Sequence, residues 1–360
     1  MSKTIFFITN SLSGGGAERV MSNLANYLTQ RGYCIKFLLL NGNEQVYPLD
    51  NSIEIIIRKN DKEKDIKGQI KFIRKYMKNN KNALFVSFFT HQNLYTILAS
   101  FALKVKVLVS ERNHPLASCN GKISSRIRNY LYSCRYCKKI IFQTKGAADY
   151  FSDKIKNKSD VIPNPLKDGL PDRYNGNRKN TVVSFGRFET QKNYELLVNA
   201  FADFSKKHSD YTLELYGKGS HEERLKALST QLGISDKVLF KGFCPDVHSK
   251  IIDAKMFVIP SNFEGLSNSM LEALAIGVPV ISTDHPPGGA KAYITSYENG
   301  ILTPVKDKEA MTKAMCFMAE NPEKANEMGE KASILKETLS SENICEKWRN
   351  IFDELLEVKK

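Results

Sequence analysis

The chain has 360 residues, which is long for a single domain and fits two domains of similar size. Apolar residues make up 42% of it, enough for two ordinary cores, and no apolar run approaches the roughly 18 residues of a membrane span. The N-terminal apolar segment is too short for a secretory signal, and the seven cysteines are odd in number and scattered. A cytosolic, reducing location is therefore expected.

The positive charge is concentrated in the first half of the chain. Residues 1–165 hold 27 Lys and Arg against 11 Asp and Glu, a net charge of +16, whereas residues 166–360 hold 26 against 28. One interpretation is solubility alone. The other is that the first half meets an anionic surface, either nucleic acid or acidic lipid headgroups.

A glycine-rich loop follows the first predicted strand. The apolar run Thr4–Thr9 leads into three consecutive glycines, and an amphipathic helix is predicted from Ala17 to Gln30. This order places backbone N–H groups at a helix start, where a phosphate or a developing negative charge can dock. Gly15 and Gly16 are therefore candidate binding residues.

The rest of the first half alternates between strand and helix patterns, which predicts a parallel, doubly wound sheet. The predicted strands are Ile35–Leu40, Ile53–Ile57, Leu84–Phe88, Val105–Ser110 and Lys139–Gln143.

Two of the helical stretches, residues 62–81 and 121–139, carry an apolar face beside a strongly basic one. The apolar face of the second stretch holds Ile123, Ile127, Tyr130 and Leu131. Such stripes are usually a core face next to a solvated face, which would leave Arg128 in solvent. A membrane-touching surface is the alternative in this basic half.

Polar residues close the strand at Val105–Ser110, where the carboxyl edge of a parallel sheet binds ligands. Arg112 and His114 are the candidates there. Cys134 and Cys137, together with Cys119 and His114, could also form a zinc site, although a single Cys-x-x-Cys match is weak and this one falls in a helical pattern.

The pattern restarts after a polar, proline-bearing stretch from Val161 to Asn180, which is interpreted as an interdomain link. Thr181–Phe185 is the first strand of the second half, and Arg187 and Lys192 occupy the loop that follows it. A diphosphate that is bound without a metal needs fixed cations, and these two side chains can supply them.

Residues 257–284 predict a strand, an acidic loop, a helix and a second strand in direct succession. Glu264 lies in the loop before the predicted helix, and Glu272 lies two helical turns further on, roughly 12 Å away at 1.5 Å per residue. For any single Glu, complementation of the helix dipole at Glu264 or solvation at Glu272 is the better explanation. The position of the pair between two apolar strands favours a ligand site that spans both ends of a nucleotide sugar.

Four strings together resemble the family 4 retaining glycosyltransferases, two-domain enzymes with the GT-B fold. They are the Gly-Gly-Ala-Glu-Arg string at 15–19, Gly-Arg-x4-Lys at 186–192, Glu-x7-Glu at 264–272 and Asn-Gly-Ile-Leu at 299–302. The resemblance implies an α/β architecture of two Rossmann-like doubly wound parallel-sheet domains that face an interdomain cleft. Residues 1–165 would bind the acceptor, residues 175–340 would bind the nucleotide sugar, and a helix at 342–360 would return to the first domain.

The resemblance also implies roles for the candidate residues. Arg187 and Lys192 would hold the donor diphosphate, and Gly15 and Gly16 would offer it backbone N–H groups. Glu264 would orient the sugar, and Glu272 would bind the ribose. The backbone N–H groups that assist Glu264 would be those of Gly265, Leu266 and Ser267. Many members carry a histidine after the fifth strand that contacts the donor sugar, and here Arg112 or His114 takes that place.

The implied reaction is a retaining, metal-independent transfer of a hexose or N-acetylhexosamine from a nucleotide sugar, with UDP expected, and without a cofactor. The expected acceptor is an undecaprenyl-diphosphate-linked glycan, reached by peripheral binding to the anionic inner face of the plasma membrane. A soluble acceptor is the alternative. A nucleic-acid-binding protein is a second one, disfavoured because no standard module or aromatic stacking pattern is present. A sucrose-synthase-type or phosphorylase-like enzyme is disfavoured by the short length.

Overall fold

The computed structural model describes residues 3–13, 15–42, 45–59, 65–112, 115 and 121–357. The chain divides into two compact units. Unit 1 comprises Met1–Pro165 and Ser341–Lys360, and unit 2 comprises Leu166–Ser340. Each unit is built on a parallel sheet flanked by helices, which confirms the predicted pair of doubly wound domains.

The sheet of unit 1 has seven parallel strands in the order β3-β2-β1-β4-β5-β6-β7. They are β1 (Thr4–Thr9), β2 (Cys34–Leu39), β3 (Glu54–Ile57), β4 (Leu84–Phe88), β5 (Lys106–Glu111), β6 (Lys139–Phe142) and β7 (Ser159–Val161). The strand order runs outward in both directions from the β1/β4 pair.

The helices of unit 1 cover the two faces of this sheet. They are α1 (Gly16–Thr29), α2 (Ile66–Asn79), α3 (Thr90–Ala99), α4 (Lys122–Ser133), α5 (Lys145–Ala148), α6 (Asp153–Lys156) and, from the end of the chain, α14 (Ser341–Leu356). Trp348 of α14 is fully buried and stacks on Phe88 with ring centroids 5.5 Å apart. The last helix therefore contributes to the core of unit 1.

Helix α4 is shorter than its pattern predicts and faces differently. It ends at Ser133, so Cys134 and Cys137 lie in the connection to β6, and the helical assignment of the Cys-x-x-Cys pair was wrong. Arg128 is also not a solvated residue. It is 2% exposed, it donates to the carbonyl oxygen of Pro115 at 2.5 Å, and its guanidinium lies 4.7 Å from the ring centroid of Phe151.

The apolar residues of α4 are divided between core and solvent. Leu131 is buried, whereas Ile123, Ile127 and Tyr130 are 76%, 50% and 69% exposed. These three residues recur at helical spacing and therefore form one exposed stripe, called the α4 stripe below. Among the described residues, no helix combines the length and the apolarity that crossing a bilayer requires.

The sheet of unit 2 has six parallel strands in the order β10-β9-β8-β11-β12-β13. They are β8 (Lys179–Phe185), β9 (Thr212–Tyr216), β10 (Val238–Gly242), β11 (Ala254–Ile259), β12 (Val280–Thr283) and β13 (Ile301–Thr303). The helices are α7 (Tyr194–Ser205), α8 (Glu222–Gln231), α9 (Val247–Ile251), α10 (Asn268–Ala275), α11 (Lys308–Glu320), α12 (Pro322–Ser333) and α13 (Leu335–Thr338).

Candidate functional site

The strand order of unit 2 reverses between β8 and β11. Strands β9 and β10, which follow β8 in the chain, lie on one side of it in the sheet, whereas β12 and β13, which follow β11, lie on the other side. The loops that leave the carboxyl ends of these two strands therefore diverge and leave a crevice, the position at which open α/β sheets bind ligands. Arg187 and Lys192 follow β8, and Glu264 follows β11.

Lys192 and Glu264 form a buried ion pair in this crevice. The Lys192 Nζ lies 2.6 Å from the Glu264 Oε1, and the two side chains are 17% and 9% exposed. Ser261 donates its hydroxyl to the same oxygen at 2.9 Å, and Gln191 donates its amide to the Glu264 Oε2 at 3.2 Å. Both carboxylate oxygens therefore have fixed donors.

Burial alone would raise the pKa of Glu264, but the adjacent Lys192 ammonium and the Ser261 hydroxyl more than compensate and leave this pKa below its ordinary value. His285, which follows β12 and is fully buried, shows the opposite balance. Burial lowers the pKa of its imidazole, although the charge of Glu264 acts to raise it. Glu264 is therefore ionised and His285 is neutral at pH 7.

Backbone and amide hydrogen bonds join the β8 loop to the β11 loop. Asn262 donates its backbone N–H to the carbonyl of Gln191 at 2.8 Å and its side-chain amide to the carbonyl of Thr190 at 2.9 Å. Asn193, held at φ +49°, donates its side-chain amide to the Asn262 Oδ1 at 3.1 Å. These bonds fix the spacing of the Lys192–Glu264 pair.

Glycines allow the neighbouring strand ends to approach closely. The backbone N–H of Phe188 donates to the carbonyl of Lys218 at 3.0 Å, which ties the β8 loop to the loop after β9. Gly217 has φ +144°, and a Cβ there would lie 1.9 Å from the carbonyl oxygen of Gly186. No other residue type fits that contact without moving the loop that carries Arg187.

Arg187 and the start of α10 complete the crevice. Arg187 is exposed, and no carboxylate of the described chain forms an ion pair with it. Gly265 is half-buried, while Leu266 and Ser267 are 6% and 2% exposed, and Ser267 is the N-cap of α10. Because the first N–H groups of a helix lack intrahelical acceptors, this terminus favours an oxygen-rich or anionic ligand.

Glu272 is held by a histidine that the sequence did not point to. The Glu272 Oε2 lies 2.9 Å from the His248 Nε2, and the two side chains are only 4% and 7% exposed. Phe185 packs edge-on against the His248 ring at 5.5 Å. The predicted ribose contact of Glu272 stays a prediction, and any such contact is made by a carboxylate already oriented by His248.

The candidates of unit 1 lie at the carboxyl edge of its own sheet. Gly15 is the N-cap of α1 and Gly16 its first residue, and both are exposed. A Cβ added to Gly15 would lie 2.1 Å from the Glu18 Oε2. The Glu18 carboxylate therefore lies against the N-terminus of α1. An anion at the start of α1 would therefore compete with Glu18.

Arg112 is buried in unit 1, with 5% of its surface exposed. Its Nη1 donates to the Asn164 Oδ1 at 2.7 Å, and its guanidinium lies 4.5 Å from the Phe88 ring centroid and 5.3 Å from that of Trp348. Burial lowers the pKa of Arg112 to about 9. The predicted contact of Arg112 with a donor sugar stays a prediction.

His114 lies outside the described residues, and so does Cys119 of the suggested zinc site. The two described cysteines of that site are Cys134, which is half-buried, and Cys137, which is 2% exposed. Burial raises the pKa of the Cys137 thiol to about 12, which opposes formation of the thiolate that zinc binds.

The residues that sequence reasoning missed are the partners of the predicted ones. Gln191 directly precedes Lys192, and Ser261 lies three residues before Glu264, so the position of both in a loop after a strand was a usable signal. His248 lies in α9 and His285 follows β12, and only the tertiary fold brings them to Glu272 and Glu264.

The chain is similar in sequence and in fold to known proteins. Residues 172–334 match the family model of the glycosyl transferases group 1. A glycosyltransferase of Haemophilus influenzae, itself uncharacterized, is 29% identical over 358 residues, which cover 98% of this chain and 100% of the relative.

A second relative has a more specific name. It is the Campylobacter jejuni α-1,4-N-acetyl-D-galactosaminyltransferase named for the substrate GalNAc-α-(1→4)-GalNAc-α-(1→3)-diNAcBac-PP-undecaprenol, 25% identical over 362 residues with 98% of each chain covered.

The fold also matches solved structures. HepE of Anabaena, solved in complex with UDP, superposes with a TM-score of 0.80 at 17% identity and covers 98% of this chain and 100% of its own. The glycosyltransferase of Rickettsia africae gives 0.81 at 18% identity, with 99% of each chain covered. Identities this low bear on the fold alone. The solved structures show that the chain has the GT-B fold, residues 172–334 carry the match to the glycosyl transferases group 1, and the relatives that span the whole chain are named as glycosyltransferases.

Proposed function

We propose that this glycosyltransferase moves a hexose or N-acetylhexosamine from a UDP-sugar to a hydroxyl of a lipid-linked glycan, with retention at the anomeric carbon and without a metal ion. The observation that carries the proposal is the Lys192–Glu264 pair, 2.6 Å apart and largely buried, with the exposed Arg187 in the same loop as Lys192. A cation and a carboxylate that would bind the sugar thus meet at the switch point of unit 2.

Lys192 and Arg187 would stabilise the leaving diphosphate. Negative charge grows on its oxygens as the bond to the anomeric carbon breaks, so fixed cations favour the transition state over the ground state. Arg187 offers a bidentate fork and Lys192 a point charge, and together they take the place that a divalent ion fills in other phosphate sites.

The donor would lie along the start of α10. Glu264, ionised and fixed by Ser261 and Gln191, would accept hydrogen bonds from sugar hydroxyls. Glu272 would bind the ribose, and the UDP complex of HepE supports the choice of base. The acceptor oxygen would attack the anomeric carbon on the face that the diphosphate leaves, and a leaving phosphate oxygen would take the acceptor proton.

The acceptor is proposed to reach the enzyme at the cytoplasmic face of the membrane. Support comes from the Campylobacter relative, named for an undecaprenol-linked substrate, and from the charge of +16 over residues 1–165. The α4 stripe adds apolar side chains that can enter the headgroup region, with Lys122 and Arg126 on the same helix.

The donor test is a thermal-shift panel of UDP-, GDP- and ADP-sugars. A ligand at 100 times its Kd adds about 2.7 kcal/mol of stability, so the true donor class should raise Tm by several degrees. NMR of the product then reports the anomeric configuration, and transfer in excess EDTA tests metal independence. An inverted product or a complete EDTA block would contradict the mechanism.

The membrane test is flotation with anionic and neutral vesicles at two salt concentrations. Binding should require the anionic lipid and weaken with salt. The double variant Ile123→Ser and Ile127→Ser should lose binding, whereas Ile334→Ser, at the equally exposed Ile334 of unit 2, should not. Absence of binding at low salt favours a soluble acceptor, and tighter binding to RNA than to vesicles favours the nucleic-acid alternative.

A further inference from the structure

Carboxamide side chains from neighbouring strand ends form a row along the carboxyl edge of unit 1. They follow the order of the strands in the sheet, from the helix after β3 to the helix after β4. The four residues, called the carboxamide row below, are Gln69, Asn41, Asn10 and Gln92.

Hydrogen bonds link the row end to end. Gln92 donates its amide to the Asn10 Oδ1 at 2.7 Å, and Asn41 donates to the same oxygen at 3.2 Å. Gln69 in turn donates to the Asn41 Oδ1 at 2.7 Å. The two glutamines are 5% and 3% exposed, while the two asparagines are exposed. Buried amides therefore hold two solvent-facing ones in fixed orientations.

This arrangement leaves particular groups facing outward. The Asn10 carbonyl oxygen accepts two internal bonds, and its amide nitrogen has no hydrogen-bond partner in the described part of the chain. Asn41 uses one of its two amide hydrogens internally. The row thus presents neutral N–H donors, which suit the hydroxyl and carbonyl oxygens of an uncharged ligand. A diphosphate calls instead for cations, as at Lys192 and Arg187.

The row also lies where a ligand is expected. The strand order of unit 1 reverses between β1 and β4, and Asn10 and Gln92 are the residues that meet across that switch point. Solvent alone would satisfy an exposed asparagine without a buried glutamine to hold it. Fixing such a side chain costs rotamer entropy, and a bound ligand recovers that cost by meeting a preorganised donor.

We propose that Asn10 and Asn41 bind a neutral sugar of the acceptor through its hydroxyl and N-acetyl oxygens. This inference rests on the proposed function, because it assigns the glycan part of the acceptor to a surface of unit 1. The lipid diphosphate is bound elsewhere, so the row contributes to recognition of the sugar and not of the prenyl diphosphate.

The test variant is Asn10→Asp. An aspartate keeps an oxygen that accepts from Gln92 and Asn41, so the inner network survives, but it replaces the outward donor with an acceptor. The matched control is Asn79→Asp, which makes the same charge change on an exposed asparagine at the opposite end of unit 1's sheet, the last residue of α2.

Affinity is measured by calorimetry for farnesyl diphosphate and for its glucose, galactose and N-acetylgalactosamine conjugates. The wild type should bind at least one conjugate about tenfold more tightly than farnesyl diphosphate, because one directed hydrogen bond changes affinity by about tenfold. Asn10→Asp should lose that gain in affinity. Asn79→Asp should keep it. No gain for any sugar, or an unchanged gain in Asn10→Asp, overturns the inference. A normal UDP-sugar thermal shift in the same samples shows that the proposed function itself stands, and its absence shows that the proposed function has failed instead.

Discussion

Replacement of Lys192 by methionine separates what this side chain does for stability from what it does for catalysis. The Lys192–Glu264 pair is largely buried, and removal of one member of such a pair costs about 3 to 5 kcal/mol because the other charge is left without compensation. At about 2 to 4 °C per kcal/mol for a domain of this size, Lys192→Met should lower the Tm of unit 2 by roughly 6 to 20 °C.

A second substitution restores the charge balance without restoring the cation. In the double variant Lys192→Met with Glu264→Gln, no buried charge is left unpaired, so much of the lost stability should return. A double-mutant cycle on thermal or urea unfolding should therefore give a coupling energy larger than the cost of Glu264→Gln alone, about 3 kcal/mol or more.

Turnover should behave differently from stability. A cation that acts on the leaving diphosphate is worth about 10²-fold or more in kcat, and Lys192→Met should lose this factor at saturating donor. The double variant should stay equally slow, because it regains stability but not the positive charge. Additive stability effects would refute the buried pair, and turnover within twofold of the wild type in Lys192→Met would refute the catalytic role.

Three further changes test the site. Gly217→Ala should lower the free energy of unfolding in urea by about 2 kcal/mol or more and weaken donor binding, because its Cβ would overlap the backbone of the loop after β8. The control is Gly233→Ala, also at positive φ but with no atom within 4 Å of the added Cβ, which should cost about 1 kcal/mol. Because the pKa of Glu264 lies below its ordinary value of 4.5, its stabilising contribution is complete above pH 4.5 and is lost as the pH falls through the lower, folded-state pKa. The difference in unfolding free energy between wild type and Glu264→Gln should thus be constant from pH 7 to about 5 and shrink in stronger acid. Glu272→Gln should raise the donor KM about tenfold with little change in kcat if the carboxylate binds ribose, and an unchanged KM would remove it from the donor site.

Strand positions were predictable because a buried parallel strand is a short, continuous apolar run. The runs at Thr4–Thr9 and Leu84–Phe88 became strands with the same bounds. Strand β7 was missed, since Ser159–Val161 is short, polar and half-exposed, and the prolines after it dominate the local pattern. Pairing at an edge of the sheet, a tertiary contact, makes it a strand.

Helix faces were less predictable than helix positions. The pattern from residue 121 placed all arginines on one solvated face, but Arg128 packs over Phe151 and reaches a backbone carbonyl. Periodicity reports which residues share a face, and it does not report that a long side chain can bury its stem and find an acceptor inside.

The sequence predicted which loops form the site, but it did not predict which of their side chains contact one another. Motif spacing placed Arg187, Lys192 and Glu264 after strands, and the switch point follows from strand order. The 2.6 Å contact between Lys192 and Glu264 spans 72 positions of sequence. No local pattern encodes such a pairing, and the same holds for His248 with Glu272.

The passage of the chain out of unit 1 and back has a consequence for synthesis. Unit 2 is one uninterrupted segment and can acquire its core while the ribosome is still translating, whereas unit 1 lacks Trp348 and Phe352 until α14 emerges. The half of the molecule that is made first is therefore finished last. A nonsense or frameshift mutation near residue 340 would spare unit 2 and leave the amino-terminal half with an open hydrophobic groove, a target for chaperones and proteases.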